Sequence, residues 1–338
     1  MKHGTLSRCS PLVALMVMAM AWGITAPSPT WATTPADAVF AAVVGVKSMV
    51  PGEARTAPSL GTRRSGSGVV IDEAGLVVTV GYLILEASSA TVVTADGVEH
   101  PAQIVAYDHA TGLGLLRALT PLDVTPLPLG QAEGLVAPSQ VLVIASASGS
   151  GDAVRPARVV SRRAFAGYWE YLLEDAIFTA PPHPQFGGAA LVDAQGRLLG
   201  IGSLVVGDAL PGETPIPGNM FIPVDHLTAT LERLIAGERS VPPRAWLGLY
   251  MRDVGGRLLV TRVAEDGPAA AAGIAPGELI LGLEGREVTS LAAFYRQLWR
   301  QGAVGEEVEL TVLRGLSTVE VQVEAADRYH WLRLNPSL

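Results

Sequence analysis

Acyl-transfer chemistry needs a nucleophile, a base within hydrogen-bond reach of it, and a third group that orients the base. The chain of 338 residues has six histidines, and four lie away from the two ends: His100, His109, His183 and His226. His109 follows Asp108 directly, but neighbours along a strand point to opposite faces. His183 is flanked by Pro182 and Pro184. All four read as surface-loop histidines. Ser146, Ser148 and Ser150 fall in Ala145-Ser-Ala-Ser-Gly-Ser-Gly, the composition of a turn rather than of a nucleophile elbow. No His/Asp/Glu grouping has metal-ligand spacing, so neither metal nor cofactor is expected. Cys9 is the single cysteine and precedes an apolar run, where a leader would carry it away. Disulfides, cysteine-ligated metals and a thiol nucleophile are then excluded.

Composition narrows the classes further. The chain is 49% hydrophobic and 17% charged, with mean hydropathy +0.34, which supplies enough apolar material for packed cores. Only 6% is aromatic, so Val, Leu, Ile and Ala must fill them. The net charge of −8 repels phosphate backbones, and no basic run with interleaved aromatics is present, which argues against nucleic acid. Residues 1–32 read as a secretory signal: Lys2, His3 and Arg8, then the apolar run Leu12–Ile24, then Thr30-Trp31-Ala32 with small residues where a signal peptidase reads. Thirteen helical residues rise only about 20 Å, short of a bilayer core of about 30 Å. The remainder is expected to lie outside the cytoplasm, periplasmic or otherwise secreted, with no membrane span.

The elements that must position any site follow from hydrophobic period. From Ser65 to Pro223, short apolar runs alternate with Gly, Pro, Asp and Ser, in two sets divided by the Pro-rich stretch Thr120–Pro128. This spacing predicts two β-barrels rather than βαβ units. Asp225–Ala236 has helical spacing at Leu227, Leu231, Leu234 and Ile235, with Gly237 as its stop. Pro242-Pro243 stiffens a linker over 237–243. From Trp246 to about Val323 the pattern is mixed, with a short helix at Pro268–Ala272, a longer one at Leu291–Arg300, and strands between and after them.

Three motifs in order carry a family resemblance. Gly66-Ser67-Gly68-Val69-Val70-Ile71-Asp72 with Gly75-Leu76-Val77-Val78-Thr79 resembles the opening of the HtrA/DegP trypsin-like proteases. Tyr107-Asp108-His109-Ala110-Thr111-Gly112-Leu113-Gly114-Leu115-Leu116 is similar to their aspartate segment. Gly187-Gly188-Ala189-Ala190-Leu191-Val192-Asp193, with Gly196-Arg197-Leu198-Leu199-Gly200-Ile201, is similar to their serine segment. The resemblance implies a mainly β fold: a trypsin-like double β-barrel over 63–236, preceded by an N-terminal segment 33–62, and followed by the linker, an α+β PDZ domain over 244–325 and a tail 326–338. It also places the triad. Tyr82 stands at the histidine position, Gly112 at the aspartate position and Phe186 at the serine position. A benzyl group is no nucleophile, Gly112 orients nothing, and a phenol of pKa about 10 is a poor base near neutrality. The resemblance further implies an oxyanion hole that uses the N–H two residues before the serine position. That residue is Pro184, which has none, and one such donor is worth about 2.7–4 kcal/mol.

Arg244-Ala245-Trp246-Leu247-Gly248-Leu249 resembles the carboxylate-binding loop of HtrA-fused PDZ domains, and Gly267-Pro268-Ala269-Ala270-Ala271-Ala272-Gly273-Ile274 a second signature of them. By that resemblance, the N–H groups of Leu247, Gly248 and Leu249 converge on a peptide's terminal carboxylate. The peptide adds as a strand beside Leu249–Arg252, and Leu291, Phe294 and Leu298 line the pocket for its last side chain. The expectation is a catalytically degenerate scaffold or regulator in envelope protein quality control, whose partners are peptide or protein C-termini and other HtrA-type proteases. The family also implies a homotrimer, with apolar Phe40–Val50 contributing. Two alternatives remain open: an active endopeptidase using non-standard residues, and a structural module whose PDZ pocket is filled from within.

Overall fold

A computed structural model describes residues 36–146 and 153–334. The expected leader, Ser148, Ser150 and the end of the tail lie outside them. Six strands close the first barrel: β1 (Val43–Met49), β2 (Arg63–Val70), β3 (Leu76–Val80), β4 (Ser89–Val93), β5 (Glu99–Asp108) and β6 (Leu113–Ala118), in the order β1-β2-β3-β6-β5-β4. Six more close the second: β7 (Gln140–Ile144), β8 (Val154–Gly167), β9 (Tyr171–Ala180), β10 (Ala190–Val192), β11 (Leu198–Leu210) and β12 (Ile216–Pro223), in the order β10-β11-β12-β9-β8-β7. The first barrel begins earlier than the sequence suggests. β1 lies inside the expected N-terminal segment, and its apolar residues pair with β2 and β4. Short helices α1 (Ala36–Ala41) and α2 (Ala57–Leu60) flank β1.

Alternation sets which residues enter each barrel. In β3 every residue is buried, because the strand's outer face is covered as well. The Pro-rich stretch packs into the same core cluster: Leu122 and Leu127 are buried, and the Leu127 N–H donates to the Val70 carbonyl of β2 at 2.9 Å. Helix α3 (Val224–Ile235) closes the double barrel by burying Val224, Leu227 and Leu234. Ile235 faces solvent, at 44% exposure, as the helix turns away before Gly237.

The C-terminal unit is built on an antiparallel sheet of β14 (Leu249–Val254), β15 (Arg257–Val263), β16 (Leu279–Leu283), β18 (Glu307–Arg314) and β19 (Ser317–Glu324), in that order, with β17 (Arg286–Glu287) beside β16. A two-stranded pair joins β13 (Ala245–Trp246) to β20 (Ala326–Asp327). Helix α4 (Pro268–Ala271) starts with Pro268 in its first turn. Helix α5 (Leu291–Gln301) starts at Ser290, whose hydroxyl accepts from the Ala293 N–H. A last short helix, α6 (Arg328–Trp331), opens the tail. Strand β14 is an edge of this sheet, the position at which an added strand can pair.

The tail does more than pack on the C-terminal unit. Trp331 lies 4.9 Å from Trp246, centroid to centroid, and Arg55 from the first barrel sits 5.2 Å over its ring. The Tyr329 hydroxyl accepts from the His109 N–H at 2.9 Å, and the Arg333 N–H donates to Glu86 Oε1 at 2.7 Å. Glu86 is buried and also accepts from Arg55 N, Thr56 N and the Thr56 hydroxyl, so one carboxylate joins tail and barrel. Among the described residues no helix is long and apolar enough to cross a membrane.

Candidate functional site

Two glycine motifs bring the barrels together. The Ser67 N–H donates to the Gly187 carbonyl at 2.8 Å, and the Thr79 hydroxyl donates to the Ser67 carbonyl at 2.6 Å. Gly188 has φ +77°, and a Cβ on it would fall 1.8 Å from the Ser67 carbonyl oxygen, so no other residue fits there. The result holds Phe186-Gly187-Gly188 against the Gly66-Ser67-Gly68 strand.

Tyr82, Gly112 and Phe186 come to one place, lining a single cavity of about 320 Å³ at the junction of the barrels. Tyr82 rides on a single 3-10 turn, Gly81–Leu83. Arg64 fixes that turn by donating to the carbonyls of Tyr82 at 2.7 Å and Leu85 at 2.8 Å. The Tyr82 hydroxyl donates to the Ser203 carbonyl at 3.0 Å, and burial raises its pKa, away from any role as a base. A Cβ on Gly112 would lie 3.0 Å from the Tyr171 hydroxyl, which donates to the Thr111 carbonyl at 2.8 Å. The rest of the wall includes five aromatic residues, Tyr107, Tyr168, Trp169, Tyr171 and Tyr250.

The segment before Phe186 differs from the sequence reading. His183 is fully buried rather than on the surface. Its N–H donates to Asn219 Oδ1 at 2.6 Å, and its ring Nδ1 accepts from the Gln185 N–H at 3.0 Å. Flanking prolines suggested a loop, and a loop it is, but one folded inward on Asn219. Pro184 sits between these groups, exposed. His109 is half-buried rather than a surface residue. Its Nδ1 lies 3.0 Å from the Tyr107 hydroxyl, and its Nε2 lies 2.9 Å from the Glu170 carbonyl. Arg328 Nη1 lies 3.1 Å from the same Nε2. Burial, with Arg328 adding to it, holds the His109 pKa well below its ordinary value. His100 and His226 are only partly exposed. His100 bonds Thr120 Oγ1, and His226 lies 2.7 Å from Asp175 Oδ1.

The carboxylate loop holds a carboxylate. The Leu247 N–H donates to Glu170 Oε2 at 3.0 Å and the Leu249 N–H to Oε1 at 2.8 Å, with the Gly248 N–H also favouring the charged form. Gly248, at φ +78°, provides the left-handed step that turns successive N–H groups toward one point. Glu170 comes from the tip of the β8–β9 hairpin in the second barrel and is buried. The same tip adds to the edge strand: the Met251 N–H donates to the Tyr168 carbonyl at 3.1 Å. Leu291, Phe294 and Leu298 are all buried in the core cluster that includes the hairpin's Leu172. The helix residue that bonds the hairpin is Tyr295, which sequence reasoning missed. Its hydroxyl donates to the Gly167 carbonyl at 2.8 Å and accepts from the Glu170 N–H at 3.2 Å. Arg296 adds a two-pronged pair to Glu174 at 2.7 and 2.5 Å.

Two closed barrels meeting at this junction, joined to a sheet-and-helix unit with an N–H loop beside an edge strand, define a trypsin-like peptidase domain followed by a PDZ domain. Family models agree: a trypsin-like peptidase domain matches residues 66–201 and a PDZ domain residues 245–325. This order of domains is the one the HtrA/DegP-like resemblance implies. It is 28% identical over 280 residues to the periplasmic serine endoprotease DegP of Salmonella typhimurium, a match covering 77% of this chain and 56% of DegP. It is 26% identical over 277 residues to the serine endoprotease DegS of Escherichia coli, covering 77% and 76%. The chain thus spans little more than half the length of DegP. Among solved structures, the HtrA-type protease AlgW with a tripeptide is 25% identical at TM-score 0.51, covering 89% of this chain and 98% of that one. The serine endoprotease from Yersinia pestis is 25% identical at TM-score 0.50, covering 87% and 98%.

Proposed function

We propose that this protein is a non-proteolytic member of the HtrA family, a scaffold or regulator outside the cytoplasm that engages peptide C-termini or extended segments through its PDZ domain. The observation that carries this reading is the common cavity of Tyr82, Gly112 and Phe186. The three positions that the family resemblance assigns to base, orienting acid and nucleophile meet in space. They present a hydroxyl engaged to a carbonyl, no side chain, and a benzyl group. Pro184 withdraws an oxyanion donor beside them. The leader-like residues 1–32 support an extracytoplasmic location, as does the likeness to a protein named as periplasmic. Assembly as a homotrimer, with Phe40 exposed beside β1, belongs to the same proposal.

Incubation with casein and a fluorophosphonate probe tests the loss of chemistry. No cleavage and no labelling are expected. Reproducible turnover, abolished by replacing one histidine or serine, would establish the endopeptidase instead.

A further inference from the structure

We propose that Glu170 is a built-in competitive ligand of the PDZ carboxylate loop, so that a free C-terminus enters only by displacing the β8–β9 hairpin tip. The inference rests on the peptide-binding half of the reading above and names how that site is controlled.

The geometry reproduces the binding of a chain end. Leu249 N–H takes a carboxylate oxygen, and two residues along the edge strand Met251 N–H takes a backbone carbonyl. That is the i, i+2 spacing by which an added peptide strand pairs. A side-chain carboxylate stands where a terminal one would, and Tyr168 supplies the pairing backbone. Glu170 occupies the Leu247 and Leu249 N–H groups, so a second carboxylate must compete for those donors. Glu170 itself has φ +57°, a left-handed conformation uncommon outside glycine, which the surrounding bonds hold in place.

The hairpin tip serves two sites at once. Tyr168, Trp169 and Tyr171 line the cavity of Tyr82, Gly112 and Phe186, while Glu170 between them fills the PDZ loop. Withdrawing the tip for an incoming peptide removes three aromatic walls from that cavity. Occupancy of the PDZ loop is therefore coupled to the shape of the cleft through one strand connection, the physical content of coupling between sites. The apparent affinity for a peptide is lowered by the fraction of molecules whose tip is out.

An array of random decapeptides with free C-terminal carboxylates, and the same array amidated, tests this on the full chain. Wild type is expected to bind weakly. Glu170→Ala should bind a subset about tenfold or more tightly, with the gain lost on amidation. Glu170→Gln, which keeps the side chain's volume, reports the same gain should the alanine variant fold poorly. Equal binding by wild type and variants overturns the proposal, and so does silence of both variants. Labelling by fluorophosphonate would refute the non-proteolytic reading without touching this result.

Discussion

Glu170 carries a carboxylate out of water and into a ring of peptide N–H groups, and its energetics should be readable as a pH dependence. Burial pushes its carboxyl up from 4.5 to about 7, against the pull of the N–H donors and Arg328. Between those values the folded chain holds a proton that the unfolded chain has lost. Its contribution to stability is complete below 4.5 and is lost as pH rises through 7. His109, which faces the Glu170 carbonyl beside Arg328, acts in the opposite sense. Held neutral well below 6.5, it contributes above that pH and loses its contribution in acid. The two slopes oppose each other in wild type. Glu170→Gln removes one, so urea unfolding of that variant between pH 5 and 7 should show stability rising more steeply with pH than in wild type. Equal slopes would contradict the assignment. Tyr295 belongs to the same cluster. Tyr295→Phe leaves the Gly167 carbonyl and the Glu170 N–H without their partner, and should cost about 1–3 kcal/mol in the same measurement.

At the level of strands and turns, what could be read from sequence and what could not divide along a physical line. Gly66-Ser67-Gly68 and Gly187-Gly188 are legible through the family resemblance, and at Gly66 and Gly188 the physical reason is steric: two backbones approach where a side chain cannot stand. Gly188→Ala should therefore cost about 4 kcal/mol or more, or prevent folding. Gly212→Ala, with open space around it, should leave the thermal midpoint nearly unchanged. The loop Leu247–Leu249 is legible through its resemblance to PDZ domains, and Gly248 stands in it at φ +78°. Its occupant is not, since Glu170 and Leu247 are 77 residues apart and the pairing is decided by how the hairpin docks. Strand β8 runs 14 residues, because its backbone keeps pairing with β9 past Ser161, Arg162 and Arg163, where the apolar pattern in the sequence stops. On α5, Phe294 satisfies the helical period of a pocket wall, but it is Tyr295, one position on, that reaches the hairpin. The burial of His183 depends on Asn219, which no local pattern reveals.

Across the whole molecule, the cavity of Tyr82, Gly112 and Phe186 and the loop Leu247–Leu249 share one hairpin. The Tyr171 hydroxyl occupies the space beside Gly112, Tyr82 is tied to Ser203, and the hairpin that carries Tyr171 ends in the residue filling the PDZ loop. Restoring three side chains should not restore proteolysis. The triple variant Tyr82→His, Gly112→Asp, Phe186→Ser is expected to leave casein intact, because Pro184 still lacks its N–H and an aspartate at 112 meets Tyr171. Turnover by that variant would show that the scaffold had remained poised for hydrolysis. The union of barrel and PDZ domain through Glu170 is open to amide hydrogen exchange at Leu247 and Leu249, followed by NMR in wild type and Glu170→Ala. Both amides should exchange slowly in wild type and about tenfold or more faster in the variant. Fast exchange in wild type, or rates that Glu170→Ala does not change, would mean that the loop stands open to solvent and that the glutamate is not its ligand.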